Sequence, residues 1–333
     1  MFILLPDAVL QAIQTLNNAG FEAYAVGGCV RDSLLGKTPL DWDVTTSATP
    51  AEMQAVFTDF KTVETGLQHG TLTVLVDDIP LEITTYRVDG NYSDGRHPDK
   101  VSFTSSLQED LRRRDFTINA MAYHPIDGVI DPFDGQADLE RKTIQCVGVP
   151  TERFSEDALR IIRALRFSAV LGFDITEETA TALRQLSPTL CKVSVERIGA
   201  ELQKLLCGEY AERVCREYYT VLALFVPKLN AHTDYRLLSL VKPVLRSRLA
   251  ALFYGADVSA VEAENALRHL RMGNKIIREV PLVLTLFAKG IYTEDAYILR
   301  LLNRLGPELI FDHLAVRECD ADTIQRVHQL LQT

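Results

Sequence analysis

Long apolar runs are missing from this 333-residue sequence: none approaches the roughly 18 residues that cross a bilayer, so no membrane span is expected. The opening stretch MFILLPDAVLQAI has no basic start and is interrupted by Pro6 and Asp7, so it does not read as an export signal. Six cysteines (Cys29, Cys146, Cys191, Cys207, Cys215, Cys319) are scattered without CxxC spacing, which excludes a zinc ribbon and a disulfide framework. A reducing cytoplasm is the expected location. There is no GxGxxG fingerprint with an acidic residue about 20 positions on, which excludes a dinucleotide-dependent oxidoreductase. Fixed-period repeats and low-complexity tracts are also missing. Basic excess is lacking overall, with a net charge of −10. That deficit is uneven: residues 1–150 hold 11 Lys and Arg against 22 Asp and Glu, and the remainder holds 24 against 23. An acidic half suits a divalent cation, and basic patches on the other half still suit a polyanion.

What is present divides at "VGVP". Before it, helical and strand patterns alternate. PDAVLQAIQTLNNAG reads as a helix stopped by Gly20, FEAYAVGG as a strand running into glycines, and VRDSLLG as a short helix. DWDVTTS reads as a strand, and TPAEMQAVF as a helix with Thr49 as cap and Pro50 at its first position. GTLTVLVDD and PLEITTYRV form a predicted hairpin closed over DDIP, followed by a long polar loop at 87–105 that includes Arg96. After "VGVP", SEDALRIIRALRFSAVLGF, TEETATALRQL, VSVERIGAELQKLLCG and AERVCREYYTVLALF all carry the 3.6-residue period. The fold class is therefore α+β: a mixed-sheet domain over 1–150, then an all-helical part.

The chemistry concentrates in a few places. In a strand, residues two apart share a face, so Asp41 and Asp43 would converge as oxygen ligands for a hard cation such as Mg²⁺. Glu82, between apolar neighbours on another predicted strand, would point away from the core toward them, giving a carboxylate set for in-line displacement at phosphorus. Gly27 and Gly28 would let backbone approach a phosphate, and Arg31 lies one turn further on. Arg112, Arg113 and Arg114 follow the polar loop side by side on a predicted helix start, with Arg114 a candidate for the triphosphate and Asp115 or Asn119 for a ribose hydroxyl. For each of these the plain alternative is a tight turn, an exposed acidic strand or a solvated helix start.

In SEDALRIIRALRF, Ala158, Ile161, Ile162 and Leu165 fall on one predicted buried arc, and Asp157, Arg160, Arg163 and Arg166 sweep the opposite one. A carboxylate beside a guanidinium matches the amine and adjacent ring nitrogen of cytosine and adenine, and mismatches uracil and guanine. Such a pair would select C and A without a nucleic-acid template; the plain alternative is a solvated helix face on which Asp157 and Arg160 make an ordinary i,i+3 pair.

The ordered stretches GGCVRDSLLGKTPLDWDV, RRDFTINAMAY, DPFDGQADLERKTIQCVG, FSEDALRIIRALRFSAVLGF and SVERIGAELQKLL resemble successive motifs of the class II tRNA nucleotidyltransferases, the CCA-adding enzymes, and their poly(A) polymerase relatives. The resemblance covers roughly residues 20–210. It implies a polymerase-beta-like nucleotidyltransferase head over 1–150, a helical neck with the nucleotide-selecting helix over 151–210, and a body and tail that bind tRNA over 211–333. It implies Asp41 and Asp43 as Mg²⁺ ligands; Glu82, read from the strand pattern, completes the expected catalytic set. Gly28, Arg31, Arg114, Asp157, Arg160, Arg163 and Arg166 would be nucleotide-binding positions. The implied activity adds CMP, CMP and AMP to tRNA from CTP and ATP, releasing pyrophosphate. A CC-only or A-only enzyme, a poly(A) polymerase and a non-catalytic RNA-binding protein are the alternatives. The chain is shorter than is usual for the resemblance, which implies a reduced tail.

Overall fold

The computed structural model describes residues 2–89, 101–288, 299–300, 303, 306–318 and 321–330. Most of the predicted loop, including Arg96, lies outside the described residues. Its flanks do not read as loop: β6 (Arg87–Asp89) and β7 (Val101–Phe103) pair antiparallel. The chain divides into two compact units, Met1–Arg160 with Asp174–Leu186, and Ile161–Phe173 with Ser187–Thr333. The first unit thus extends ten residues past position 150 and also takes back a later segment.

In the first unit, helix α1 (Asp7–Asn18) buries Ala8, Val9, Ala12, Ile13 and Leu16 at helical spacing and ends where Gly20 takes φ +90°. The sheet has the order β3-β4-β5-β2-β1-β8-β9, with β1 Ala23–Val26, β2 Asp43–Thr46, β3 Lys61–Val63, β4 Thr71–Val76, β5 Ile79–Thr85, β8 Ala122–His124 and β9 Gly128–Ile130. It is mixed, as expected: β2 and β5 run parallel while the other neighbours run antiparallel. The β4–β5 hairpin turns on Asp77 and Asp78, both at positive φ, the primed turn that matches strand twist. Helix α3 (Pro50–Val56) has the Thr49 cap and Pro50 start that its sequence predicts, and Glu52 completes a capping box there.

Alternation sorts the two sheet faces. Val44, Ile83, Leu72 and Val74 are buried on one face. Asp43, Thr45, Glu82 and Thr84 occupy the other, because Asp43 is in register with Glu82 and Thr45 with Thr84. Helix α4 (Leu107–Arg112) belongs to that second side, where its Leu111 joins Val26, Ala120, Ala122 and Val147 in a cluster with Tyr24 against it. The segment Asp174–Ile175 pairs in parallel with Thr143–Ile144, which ties the returning piece of chain to the first unit.

The second unit is helical. Helix α7 (Leu159–Leu171) enters it after its first two residues, and Val195–Leu206, Leu245–Gly255 and Asn274–Ala288 build its interior. Leu245–Gly255 is buried nearly all round, from Ser247 through Phe253, as a central helix must be. No helix among the described residues is long and apolar enough to cross a membrane.

Candidate active site

Strand β2 begins at Asp43, so Asp41 precedes the strand instead of sharing it. Both aspartates are exposed, as is Glu82. Loss of water around the Asp43 carboxyl raises its pKa, the Arg114 guanidinium opposes this, and the charges of Glu82 and Asp41 raise it further. The three carboxylates and Arg114 therefore act on one another, although among the described residues no group of three His, Cys, Asp or Glu side chains is close enough to enclose an ion. That is an open, all-oxygen donor set in which like charges crowd Asp43. It fits a hard divalent cation, which takes carboxylate oxygens and completes its shell with water and phosphate.

The glycine pair divides its work. Gly27 has φ +81° and ψ −125°, a backbone that side chains avoid, and a Cβ there would sit 2.8 Å from Nη1 of Arg114. Gly28 opens helix α2 (Gly28–Leu34), and a Cβ there would meet only Nη2 of Arg31, at 3.6 Å. The sequence points to Gly28 for the nucleotide; the steric demand falls one residue earlier. Arg31 donates from Nη1 to Oδ1 of Asn119 at 2.6 Å and from Nε to Asp32 at 2.8 Å. Asn119 in turn donates to Oδ1 of Asp115 at 3.1 Å, and both are buried, so these two groups brace Arg31.

The three arginines are not side by side on a helix. Helix α4 ends at Arg112, Arg113 is its cap, and Arg114 lies beyond. Arg113 and Arg114 both turn to Asp110, at 2.8 and 3.4 Å, a fully buried carboxylate that sequence reasoning passed over. The Nε of Arg114 is buried and has no hydrogen-bond partner among the described residues.

Two corrections concern the predicted nucleotide-selecting helix. Asp157 is not on it: helix α6 (Pro150–Glu156) stops there, Asp157 takes the extended φ −137° and ψ 102°, and its Oδ1 accepts from the N–H of Leu159 at 3.0 Å to start α7. Arg160 is not on a solvent arc but only 8% exposed. Its guanidinium donates to Glu156 at 2.7 Å, to the Arg153 carbonyl at 3.1 Å and to the Arg113 carbonyl at 2.8 Å. Burying the arginine is tolerable because carboxylate and carbonyl acceptors surround it. The apolar arc holds: Ala158, Ile161, Ile162 and Leu165 are all buried.

In the second unit, Arg163 and Arg166 face the buried Glu201, at 3.8 and 3.0 Å, and their guanidinium carbons lie 5.4 and 4.1 Å from the ring centre of Phe167. Glu201, in SVERIGAELQKLL, went unremarked in the sequence because a lone acid in a helix gives no signal of burial.

The chain matches two family models, "Poly A polymerase head domain" over residues 23–145 and "Probable RNA and SrmB- binding site of polymerase A" over residues 172–229. It is 54% identical over 210 residues to a CCA-adding enzyme of Leuconostoc citreum, covering 62% of this chain and 52% of that protein. The chain thus spans about half the length of that curated relative. A CCA-adding enzyme of Limosilactobacillus fermentum is 39% identical over 334 residues, covering 96% of this chain and 81% of the relative. Among solved structures, the Bacillus stearothermophilus CCA-adding enzyme in complex with CTP superposes with a TM-score of 0.81 at 32% identity, covering 99% of this chain and 82% of that one. Likeness of that extent and identity, with carboxylates, glycine turn and arginine in one sheet-centred site, means that the chain belongs to the CCA-adding enzyme family.

Proposed function

We propose that this protein adds CMP, CMP and AMP to the 3′ end of tRNA, using CTP and ATP and releasing pyrophosphate. The observation that carries the reading is the parallel register of Asp43 with Glu82, which brings the carboxylates of two strands onto the face where Arg114 lies. Asp41 and Asp43 would hold a divalent metal, which we take to be Mg²⁺. When bound, it would lower the barrier to attack on the α-phosphorus and offset charge on the pyrophosphate. The chain's own residues bind and orient. Arg114, with its Nη1 beside Gly27, steadies the triphosphate, and Arg31, braced by Asn119, adds a second guanidinium. Glu82 keeps the face acidic and so favours the cation.

Base choice rests on Asp157 as acceptor and Arg160 as donor, with Arg163 and Arg166 as further nucleotide-binding positions. The three acceptors around Arg160 support the reading, since a guanidinium held so firmly presents one fixed pattern of donors. The expected site of action is the cytoplasm.

The test is incorporation of labelled CMP into tRNA that lacks its 3′ end, with Mg²⁺, comparing the wild type with Asp43→Asn. A wild type that incorporates label and a variant slowed on the order of 10³-fold support the reading. Equal rates, or no incorporation by either, refute it.

A further inference from the structure

Asp110 is an anion buried without exposure, and the function above leaves it unused. Its two oxygens are divided between two tasks. Oδ1 accepts from Arg113, through Nε at 2.9 Å and Nη2 at 2.8 Å, and from the backbone N–H of Arg87 at 3.3 Å. Oδ2 accepts from the hydroxyl of Thr45 at 3.3 Å and from Nη2 of Arg114 at 3.4 Å. Thr45 is two residues from Asp43 on the same strand face, so Oδ2 spans the short interval between the carboxylate strand and the arginine. Its pKa lies below the usual carboxylate range: burial acts to raise it, but Arg113, Arg114 and the Arg87 N–H outweigh burial.

From this division, and resting on the proposed transferase reading, we infer that Asp110 is the positioning residue for Arg114 in triphosphate binding. Arg113 holds the carboxylate at close range through two nitrogens, and Arg114 adds to this from farther away. The Arg114 contact is long and runs through Nη2. A guanidinium tethered at Nη2 is aimed without being saturated, and its Nη1 stays available to phosphate oxygens. Gly27 clears the space on the other side, since Nη1 of Arg114 occupies the position next to its missing side chain. Asp110 acts through Arg114 on the phosphates and makes no contact with the base, so its effect is the same for CTP and ATP.

Simple electrostatics predicts the opposite sign. A negative charge near a triphosphate repels it, so removing the charge should tighten binding. Positioning predicts weaker binding.

The measurement is calorimetric Kd for CTP and for ATP, with Mg²⁺, in the wild type, Asp110→Asn, Arg114→Ala and the double variant. Asp110→Asn should raise both Kd values about tenfold, the scale of one misdirected charge-assisted hydrogen bond. The double variant should bind as Arg114→Ala alone does, and Asp110→Glu should recover part of the loss. Unchanged or tighter binding in Asp110→Asn overturns the inference, and so do single losses that multiply in the double variant. If Asp110→Asn does not fold, Asp110→Glu against Arg114→Ala is read by the same rule. A wild type that binds both nucleotides but transfers neither to tRNA refutes the proposed function while these Kd values still decide the role of Asp110. A wild type that binds neither nucleotide overturns both.

Discussion

Substituting Gly27 by alanine should damage the protein in two separable ways. The backbone at φ +81° and ψ −125° is essentially closed to residues with a Cβ, and holding one there costs roughly 1–3 kcal/mol. The new Cβ would also lie 2.8 Å from Nη1 of Arg114, which must move, while the Asn119 carbonyl at 3.7 Å is in ordinary contact. Gly20 isolates the first effect: it has φ +90° and nothing within 4 Å of an added Cβ. Gly20→Ala should lower the melting temperature by roughly 2–10 °C and leave the Michaelis constants for CTP and ATP unchanged. Gly27→Ala should show a similar thermal loss and, assayed well below its transition, raise both Michaelis constants about tenfold. Calorimetry paired with steady-state nucleotide addition reads both quantities. Wild-type Michaelis constants in Gly27→Ala, or equal kinetic damage in Gly20→Ala, would refute the reasoning.

Asp157→Ala should relax the choice of CTP and ATP over UTP and GTP more than it weakens triphosphate binding, measured as competing incorporation. It should also cost about 1 kcal/mol of stability, because the Leu159 N–H loses its cap. His313 predicts an acid sensitivity of the second unit. It is 1% exposed, neither ring nitrogen has a partner among the described residues, and its ring stacks on Phe287 at 6.2 Å between centres. Burial, with a smaller contribution from Arg317, lowers its pKa from 6.5 to about 4. Between those values the unfolded chain binds a proton that the folded chain refuses, so stability is complete above pH 6.5 and is lost as pH falls toward 4. The loss from pH 7 to pH 5 is about 2 kcal/mol. Urea titrations at the two pH values should show it, and His313→Phe should flatten it; an equal slope in the variant would remove His313 as the cause.

Elements whose signals are local were legible in the sequence. The Thr49 cap with Pro50 after it, the hairpin turn within DDIP and the outward side of Glu82 each follow from a few adjacent residues. Where tertiary contacts overrule local pattern, the reading failed. SEDALRIIRALRF carries an unbroken helical period, yet the chain breaks at Asp157, which accepts from the Leu159 N–H, and Arg160 reaches back to Arg153, Glu156 and Arg113. The pattern sees charges every third residue and assigns them to water. It cannot see that distant carbonyls and Glu201 receive those charges. Asp110 was hidden for the same reason: in QEDLRRRD an aspartate among arginines looks solvated, and only the sheet above it makes it a buried anchor. For the glycine pair, the sequence shows that freedom is needed but not which residue uses it.

Template-free addition of CCA is read off by sequencing the products. The protein is incubated with Mg²⁺, all four nucleoside triphosphates and tRNA transcripts that end before the first C. The predicted product is CCA on nearly every extended molecule, with UMP and GMP absent. Unextended transcripts, or extensions of mixed sequence, would contradict it.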